Sequence, residues 1–401
     1  MLTAIGVVVF VLLLQFSVAL HEFGHLLTAK AFGMKATEYF IGFGPRIWSF
    51  RRGETEYGLK AIPAGGYVKI VGMLDAEDLP EEDRARAFHR YSAPRRLLVL
   101  AAGSISHMIL AFLLLLVVFV GVGTSHATTT IGTVTPCVST TSSGCTGGDP
   151  PSPALAAGLR PGDQVLAVGG TPVTRWQQAT AAIRAAGPGP LPIRIRRDGQ
   201  DLTLTPVLVA AQRPDPDHPD RTVKVGVLGV EATSRIVHAG PIAGIRDSAD
   251  WMVRIVKASV VSLAHIPQKV PNLIDSLHGG QRDRTGLVGV VGAARISGQT
   301  LSYRSAPLAE RAGDLLLIVA GLNVFIGLFN AVPLLPLDGG HMAVVGYETI
   351  RRRTYRLLGR AEPGKVDITK LIPLTYAFLA VLLSLTVLLI AADIVNPVNI
   401  G

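Results

Sequence analysis

Four stretches of this chain are too long and too apolar to behave as ordinary core elements. Residues 4–20, 97–122, 315–337 and 371–392 are nearly unbroken runs of Val, Leu, Ile, Ala and Phe. Each approaches or exceeds the roughly 20 residues a helix needs to cross about 30 Å of hydrocarbon. Four such runs separated by charged loops argue against one large soluble core. The composition agrees: hydrophobic residues are 49% of the 401, and charged residues only 17%, below the roughly 25% of a soluble domain. That much apolar surface excludes a disordered chain, and two cysteines cannot staple a chain of this length.

The first run is expected to be a retained membrane helix rather than a cleaved signal. No Lys or Arg precedes Lys30, and the run leads directly into His21-Glu22-Phe23-Gly24-His25. Orientation follows from the loops. Residues 46–96 carry Arg46, Arg51, Arg52, Lys60, Lys69, Arg84, Arg86, Arg90, Arg95 and Arg96. The loop between the third and fourth runs carries Arg351, Arg352, Arg353, Arg356, Arg360, Lys365 and Lys370. Basic loops stay in the cytoplasm, so both termini and the segment from about 124 to 310 are expected outside. The net charge of +9 is then a topology signal, and nucleic acid is not an expected partner.

The expected organisation is an N-terminal membrane half (1–123), an extracytoplasmic domain with its entry linker (124–235), an extracytoplasmic amphipathic and glycine-rich region (236–310) and a C-terminal membrane half (311–401). Residues 124–153 are rich in Thr, Ser, Gly and Pro and read as irregular entry, with a strand possible at Ile131–Thr135. Beyond them a short helix near 152–158, a strand at 164–168, a helix at 176–186 and a hairpin around Asp198-Gly199 are expected. Residues 211–222 read as a polar loop and Val223–Val230 as a strand. The string Ser152–Trp176 resembles a PDZ domain of bacterial envelope proteases. A PDZ fold implies a groove that takes a peptide by β-augmentation, or a spacer that limits access sterically; the two are compatible. Cys137 and Cys145, in an oxidising compartment, can form a disulfide or stay free thiols. Trp251, Met252, Ile255 and Val256 mark one face of an amphipathic helix, which either lies on the membrane surface or packs on the preceding domain.

The chemistry sits at one depth. His21-Glu22-x-x-His25 places two imidazoles four residues apart on one helix face, where both can ligate zinc while Glu22 polarises water. Ionisable groups at the end of an apolar helix are costly unless paired or functional. A catalytic zinc takes a third protein ligand. The third run brings Asp338 and His341 to the same side, and either can supply it by chemistry alone. Pro333 and Pro336 interrupt that run, and Gly339-Gly340 lets the chain turn.

These residues together resemble the site-2 protease family of intramembrane zinc metalloproteases. H-E-x-x-H on the first membrane helix is joined by Asn330-Ala-Val-Pro333-Leu-Leu-Pro336-Leu-Asp338-Gly-Gly on a later one. Gly42-Phe-Gly-Pro45 and Pro63-Ala-Gly-Gly-Tyr67-Val-Lys69 are similar to the regulator of sigma-E protease branch, and the chain looks closest to actinobacterial members. The resemblance implies a polytopic α-helical membrane protein: a four-helix site-2 protease core with an extracytoplasmic PDZ domain between the second and third helices. It implies Zn2+ held by His21, His25 and Asp338, with Glu22 as catalytic base and Asn330 orienting substrate or stabilising the oxyanion. One position departs from the family pattern. His107 stands where an amide is usual, and it either donates to the tetrahedral intermediate, approaches the metal, or simply packs.

The implied activity is hydrolysis within or beside transmembrane segments of pre-trimmed single-pass proteins in a bacterial cell membrane, with the active site toward the cytoplasm. Anti-sigma factors after a first cleavage are the expected substrates and remnant signal peptides a second class. The bilayer and a PDZ-bound peptide are further expected partners. A substrate helix hides its amides in its own hydrogen bonds and must unwind before attack. Residues 60–70 either hold it by strand pairing or form a membrane-surface hairpin. Two other functions remain distinguishable: an inactive membrane scaffold, indifferent to Glu22→Gln, and a metal transporter, which needs ligands spread along a crossing path.

Overall fold

The computed structural model describes residues 2–73, 79–138, 151–214, 222–280, 282, 286–303, 306–361, 363–364 and 368–398. It divides into two units, Met1–Val122 with Ala239–Gly401, and Gly123–His238.

The first unit begins with α1 (Leu2–Ala31), apolar for most of its length. His21 lies about 28 Å along it from Leu2, at 1.5 Å per residue. Two long bent strands follow, β1 (Ala36–Arg52) and β2 (Thr55–Ile70). The first part of β1 is central: Glu38 to Ile41 pair with Lys69 to Gly66 on one side and with Glu56 to Leu59 on the other. Segment 66–70 is therefore an edge, and it runs beside α1, where Gln15 Nε2 donates to Gly65 O at 3.0 Å. After a short α2 (Glu81–Arg84), α3 (Ala93–Leu116) starts at Ser92 with Pro94 in its first turn and continues as a π-helical turn to Val122. Proline is tolerated there because the first amides have no helical partner.

The second unit is mixed α and β. Strand β3 (Thr124–Val134) opens it, followed by α4 (Pro153–Ala156), β4 (Gln164–Val168), β5 (Thr171–Pro172), α5 (Trp176–Ala186) and β6 (Gly189–Pro190). Then come β7 (Ile193–Arg197), β8 (Gln200–Leu204), β9 (Val207–Pro214), β10 (Thr222–Val227) and β11 (Val230–Val237). One sheet has the order β11-β3-β4-β7-β8, with β5 on β4; the other is β10-β9-β6. Ile131, Val165, Ile193 and Ile195 from the first meet Ile183 of α5 and Leu208 of β9 in the core. The β7–β8 hairpin turns at Asp198-Gly199, both at positive φ. This is the PDZ-like insertion.

Two stretches differ from their sequence reading. Residues 124–130 are strand rather than irregular entry and run on into the strand expected from Ile131, which ends at Val134; their Thr side chains suit a pleated surface, and β11 pairs along them with two register shifts. The polar stretch 211–222 is β9 up to Pro214 and β10 from Thr222, and residues 215–221 between them lie outside the described residues. Cys137 is disulfide-bonded; Cys145, the other cysteine in the chain, also lies outside them.

The first unit resumes with α6 (Pro241–Ala264), α7 (Ile266–Leu277) and α8 (Val290–Ser302). Trp251, Met252, Ile255 and Val256 of α6 pack with Ala111 and Leu115 of α3 and with Ala320 and Val324 of the next helix. These side chains anchor α6 in the helical bundle. Helix α9 (Leu308–Asn330) ends before Pro333, α10 (Asp338–Leu357) starts at Asp338, and α11 (Ile372–Val395) closes the chain. Of the described helices, α1, α3 with its π turn, α9 and α11 are long and apolar enough to cross a membrane. The protein is a polytopic membrane protein, with the mixed domain inserted between the second and third spans.

Candidate metal centre

Helical spacing puts His21 and His25 on one face of α1, and their Nε2 atoms lie 3.1 Å apart. Asp338 Oδ2 is 3.2 Å from His21 Nε2 and 3.4 Å from His25 Nε2. It gets there because α9 breaks at the prolines and α10 restarts at Asp338, with Gly339 and Gly340 tight against the backbone of 331–335. Arg96 of α3 pairs with Glu348 of α10 at 3.2 Å and ties that helix to the bundle.

The protonation pattern follows from the partners. His25 Nδ1 is 2.7 Å from Val99 O. A carbonyl only accepts, so Nδ1 carries the proton and Nε2 presents a lone pair. His21 Nδ1 and Asp338 Oδ2 are buried with no hydrogen-bond partner. One ligand atom from each of the three residues lies within 4.8 Å of the others. Two imidazoles and a carboxylate crowded together in a low-dielectric interior are costly unless a cation answers them. A nitrogen–nitrogen–oxygen set that leaves a fourth position open is the donor set of a catalytic zinc, so the residues fit the metal.

Gly103 of α3 completes the cradle. A Cβ there would collide with His25 Nε2 and lie 2.6 Å from His21 Nε2, so α3 can come this close only with a glycine. Glu22, half-buried next to His21 in the helix, also lies against β2, where a Cβ on Gly66 would be 3.2 Å from Glu22 Cγ. The strand edge 66–70 thus borders the side of α1 that carries Glu22.

The other nominated residues fall around this cluster. His107 is 1% exposed, and its ring centroid is 5.0 Å from that of His21. Its Nδ1 lies 2.8 Å from Asn323 Oδ1, and it is not one of the three converging ligands among the described residues. His341 is half-buried one turn along α10 and lines a small cavity with Arg96 and Glu348 instead. Asn330 is the last residue of α9, half-buried; among the described residues no hydrogen bond joins its side chain to the cluster.

Asn323 escaped the sequence reading. Fully buried, it accepts from His107 and donates through Nδ2 to Ser17 Oγ at 3.1 Å and Val319 O at 2.8 Å. It thereby links α1, α3 and α9 just behind the ligands. The signal was present: an amide inside an apolar span needs a partner, and Ser17 and His107 are the polar interruptions of the other two runs that meet it.

Comparison with known proteins agrees with this geometry. The model of Peptidase family M50 matches residues 9–360. The zinc metalloprotease Rip1 of Mycolicibacterium smegmatis is 36% identical over 414 residues, covering 100% of both chains. Rip1 of Mycobacterium tuberculosis is 36% identical over 420 residues, again covering 100% of both. A putative zinc metalloprotease of Brucella suis is 29% identical over 360 residues, 86% of each chain. A histidine pair and an aspartate converging within a bundle of membrane helices, in a chain that aligns end to end with zinc metalloproteases, make this protein a member of peptidase family M50, the intramembrane site-2 proteases.

Proposed function

We propose that this protease cuts peptide bonds in or beside the transmembrane segment of single-pass membrane proteins already trimmed outside by another protease, anti-sigma factors foremost and remnant signal peptides second. The observation that carries this reading is the site's position: three ligand atoms converge on α1, a membrane span, with Glu22 beside them. The basic loops orient the chain with this end toward the cytoplasm and the inserted domain outside.

In this reading His21, His25 and Asp338 hold the metal. Bound zinc supplies Lewis-acid polarisation of the scissile carbonyl and of water. Glu22 takes a proton from the attacking water as its oxygen joins the carbonyl carbon. It returns that proton to the amine as the C–N bond breaks. The strand edge 66–70 pairs with the unwound substrate and keeps its amides hydrogen-bonded. Asn330 orients the same strand from the end of α9. His107, held by Asn323, sets the wall behind His21 as a positioning residue. In the inserted domain, a cavity of about 470 Å³ lined by Trp176, Ile183 and Val225–Glu231 takes the newly exposed end of a trimmed substrate.

The test is reconstitution of the purified chain with a candidate single-pass substrate, intact and trimmed. Wild type is expected to cut the trimmed form. Glu22→Gln, Asp338→Asn and a zinc chelator are each expected to stop it. Cleavage that survives all three removes the proposed site; equal cleavage of the intact form removes the requirement for trimming.

A further inference from the structure

Behind the loop that delivers Asp338 lies a cavity of about 540 Å³ between that loop, α10 and the start of α11. Its walls are apolar, with Leu334 and Leu335 from the loop and Leu371 and Leu374 from the foot of α11. Its rim is basic, with Arg351 from α10 and Lys370 from the residue just before Leu371. Arg351 stacks over Tyr355 at 5.8 Å, and neither cation has an acidic partner among the described residues. Lys370 stands next to the first turn of a membrane span, so the cavity lies where hydrocarbon gives way to water.

We propose that this cavity binds an anionic phospholipid. The phosphate pairs with Arg351 and Lys370, and the glycerol and first acyl carbons lie against Leu334, Leu335, Leu371 and Leu374. The argument is complementarity. A basic pocket between membrane helices at the interface selects a negative headgroup, and the apolar wall suits the part of a lipid that a free phosphate lacks. A cavity of several hundred Å³ is the usual size of a small-molecule site. A zwitterionic lipid would bring its own ammonium toward two cations. The occupant touches 333–335, the same loop that packs on Gly339 and Gly340, so it braces the segment on which Asp338 is mounted. The site does not depend on what the protease cuts.

The test uses the full chain in phosphatidylcholine nanodiscs carrying a little diazirine-tagged phosphatidylglycerol, with photolabels mapped by mass spectrometry. Labelling is expected to concentrate on peptides covering 333–351 and 370–375. Arg351→Gln with Lys370→Gln is expected to lower it about tenfold, since each basic residue near the surface contributes measurably to anionic-lipid affinity. Arg353→Gln with Arg360→Gln removes the same charge outside the cavity and is expected to leave labelling unchanged. Diazirine-tagged phosphatidylcholine is expected to label the exposed face of α11 equally in all variants, which reports a folded chain. Equal labelling of the cavity by both lipids overturns the proposal. So does an equal loss in the control pair, or displacement of the tagged lipid by inorganic phosphate.

Discussion

Asp393 and Asp338 are both carboxylates withdrawn from water in the membrane unit, and the fold answers them in opposite ways. Asp393, near the end of α11, is 2% exposed. Arg282 Nη2 donates to it at 2.7 Å, and the amides of Gly289 and Gly292 donate at 3.0 and 2.8 Å. It thereby caps the start of α8, whose first amides have no helical partner, with a side chain a hundred residues away. Asp338 Oδ2 meets two imidazole nitrogens and has no hydrogen-bond donor. A buried charge met by a counter-ion and amides is a brace. One met by other lone pairs is complete only with a cation from solution.

Four experiments break or sharpen that contrast. The largest effect belongs to Glu22→Gln, which separates binding from chemistry. Cleavage is expected to fall about 10²–10⁴-fold while the purified protein keeps its zinc by elemental analysis; loss of zinc in this variant would make Glu22 part of the ligand set. Next, Asp393→Asn leaves Arg282 buried without its anion and is expected to lower stability by about 3–5 kcal/mol in detergent unfolding, with zinc retained in the folded fraction. If instead it stripped the zinc and left stability intact, the two aspartates would not be divided as described. Third, Gly103→Ala crowds both imidazoles. Zinc affinity is expected to drop about 10–100-fold, the size of other changes that disturb ligand orientation, as read by chelator competition on a chain that still folds.

The smallest effect tests the brace principle in the other unit. Burial pushes the Asp163 carboxyl up, but Arg197 grips it at 2.7 Å through both Nε and Nη2 and the Arg160 amide donates at 2.8 Å, and the net result is below its ordinary range. The folded state therefore binds fewer protons than the unfolded one. The stabilisation is complete above the unfolded value near 3.9 and is lost as pH falls below it. Melting followed at Trp176, with the other two tryptophans replaced by Phe, is expected to drop on acidification in the parent and less in Asp163→Asn. Equal acid sensitivity in both would remove Asp163 from the account.

Much of this was legible before the fold was seen, because the strongest signals are local or repeated. The four spans follow from run length alone, and His21, Glu22 and His25 share five residues of one helix. Asp338 was reachable through the prolines that break its helix. What stayed hidden depends on contacts between distant segments. Gly103 looks like any glycine in an apolar run until α3 is laid against the two imidazoles. Asp393 and Arg282 are 111 positions apart, and nothing near either one names the other. The strand from Ile131 is legible, but its 124–130 part is not, because Thr, Ser and Gly favour irregular chain locally, and only the pairing with β11 overrides that preference. Likewise the apolar face of α6 announces burial, but not which surface it meets.

Gly103 also decides how the enzyme can be inhibited. With α3 pressed to the limit of contact against both imidazoles, a molecule seeking the ligand cluster cannot slip in along that helix. The side left to it is that of Glu22 and the strand edge 66–70, which rewards extended, peptide-like shapes. Compact chelators that ignore that edge forgo the hydrogen bonds available on the way in, so selectivity over other zinc enzymes is to be sought in the strand-mimicking part of a compound rather than in its metal-binding head.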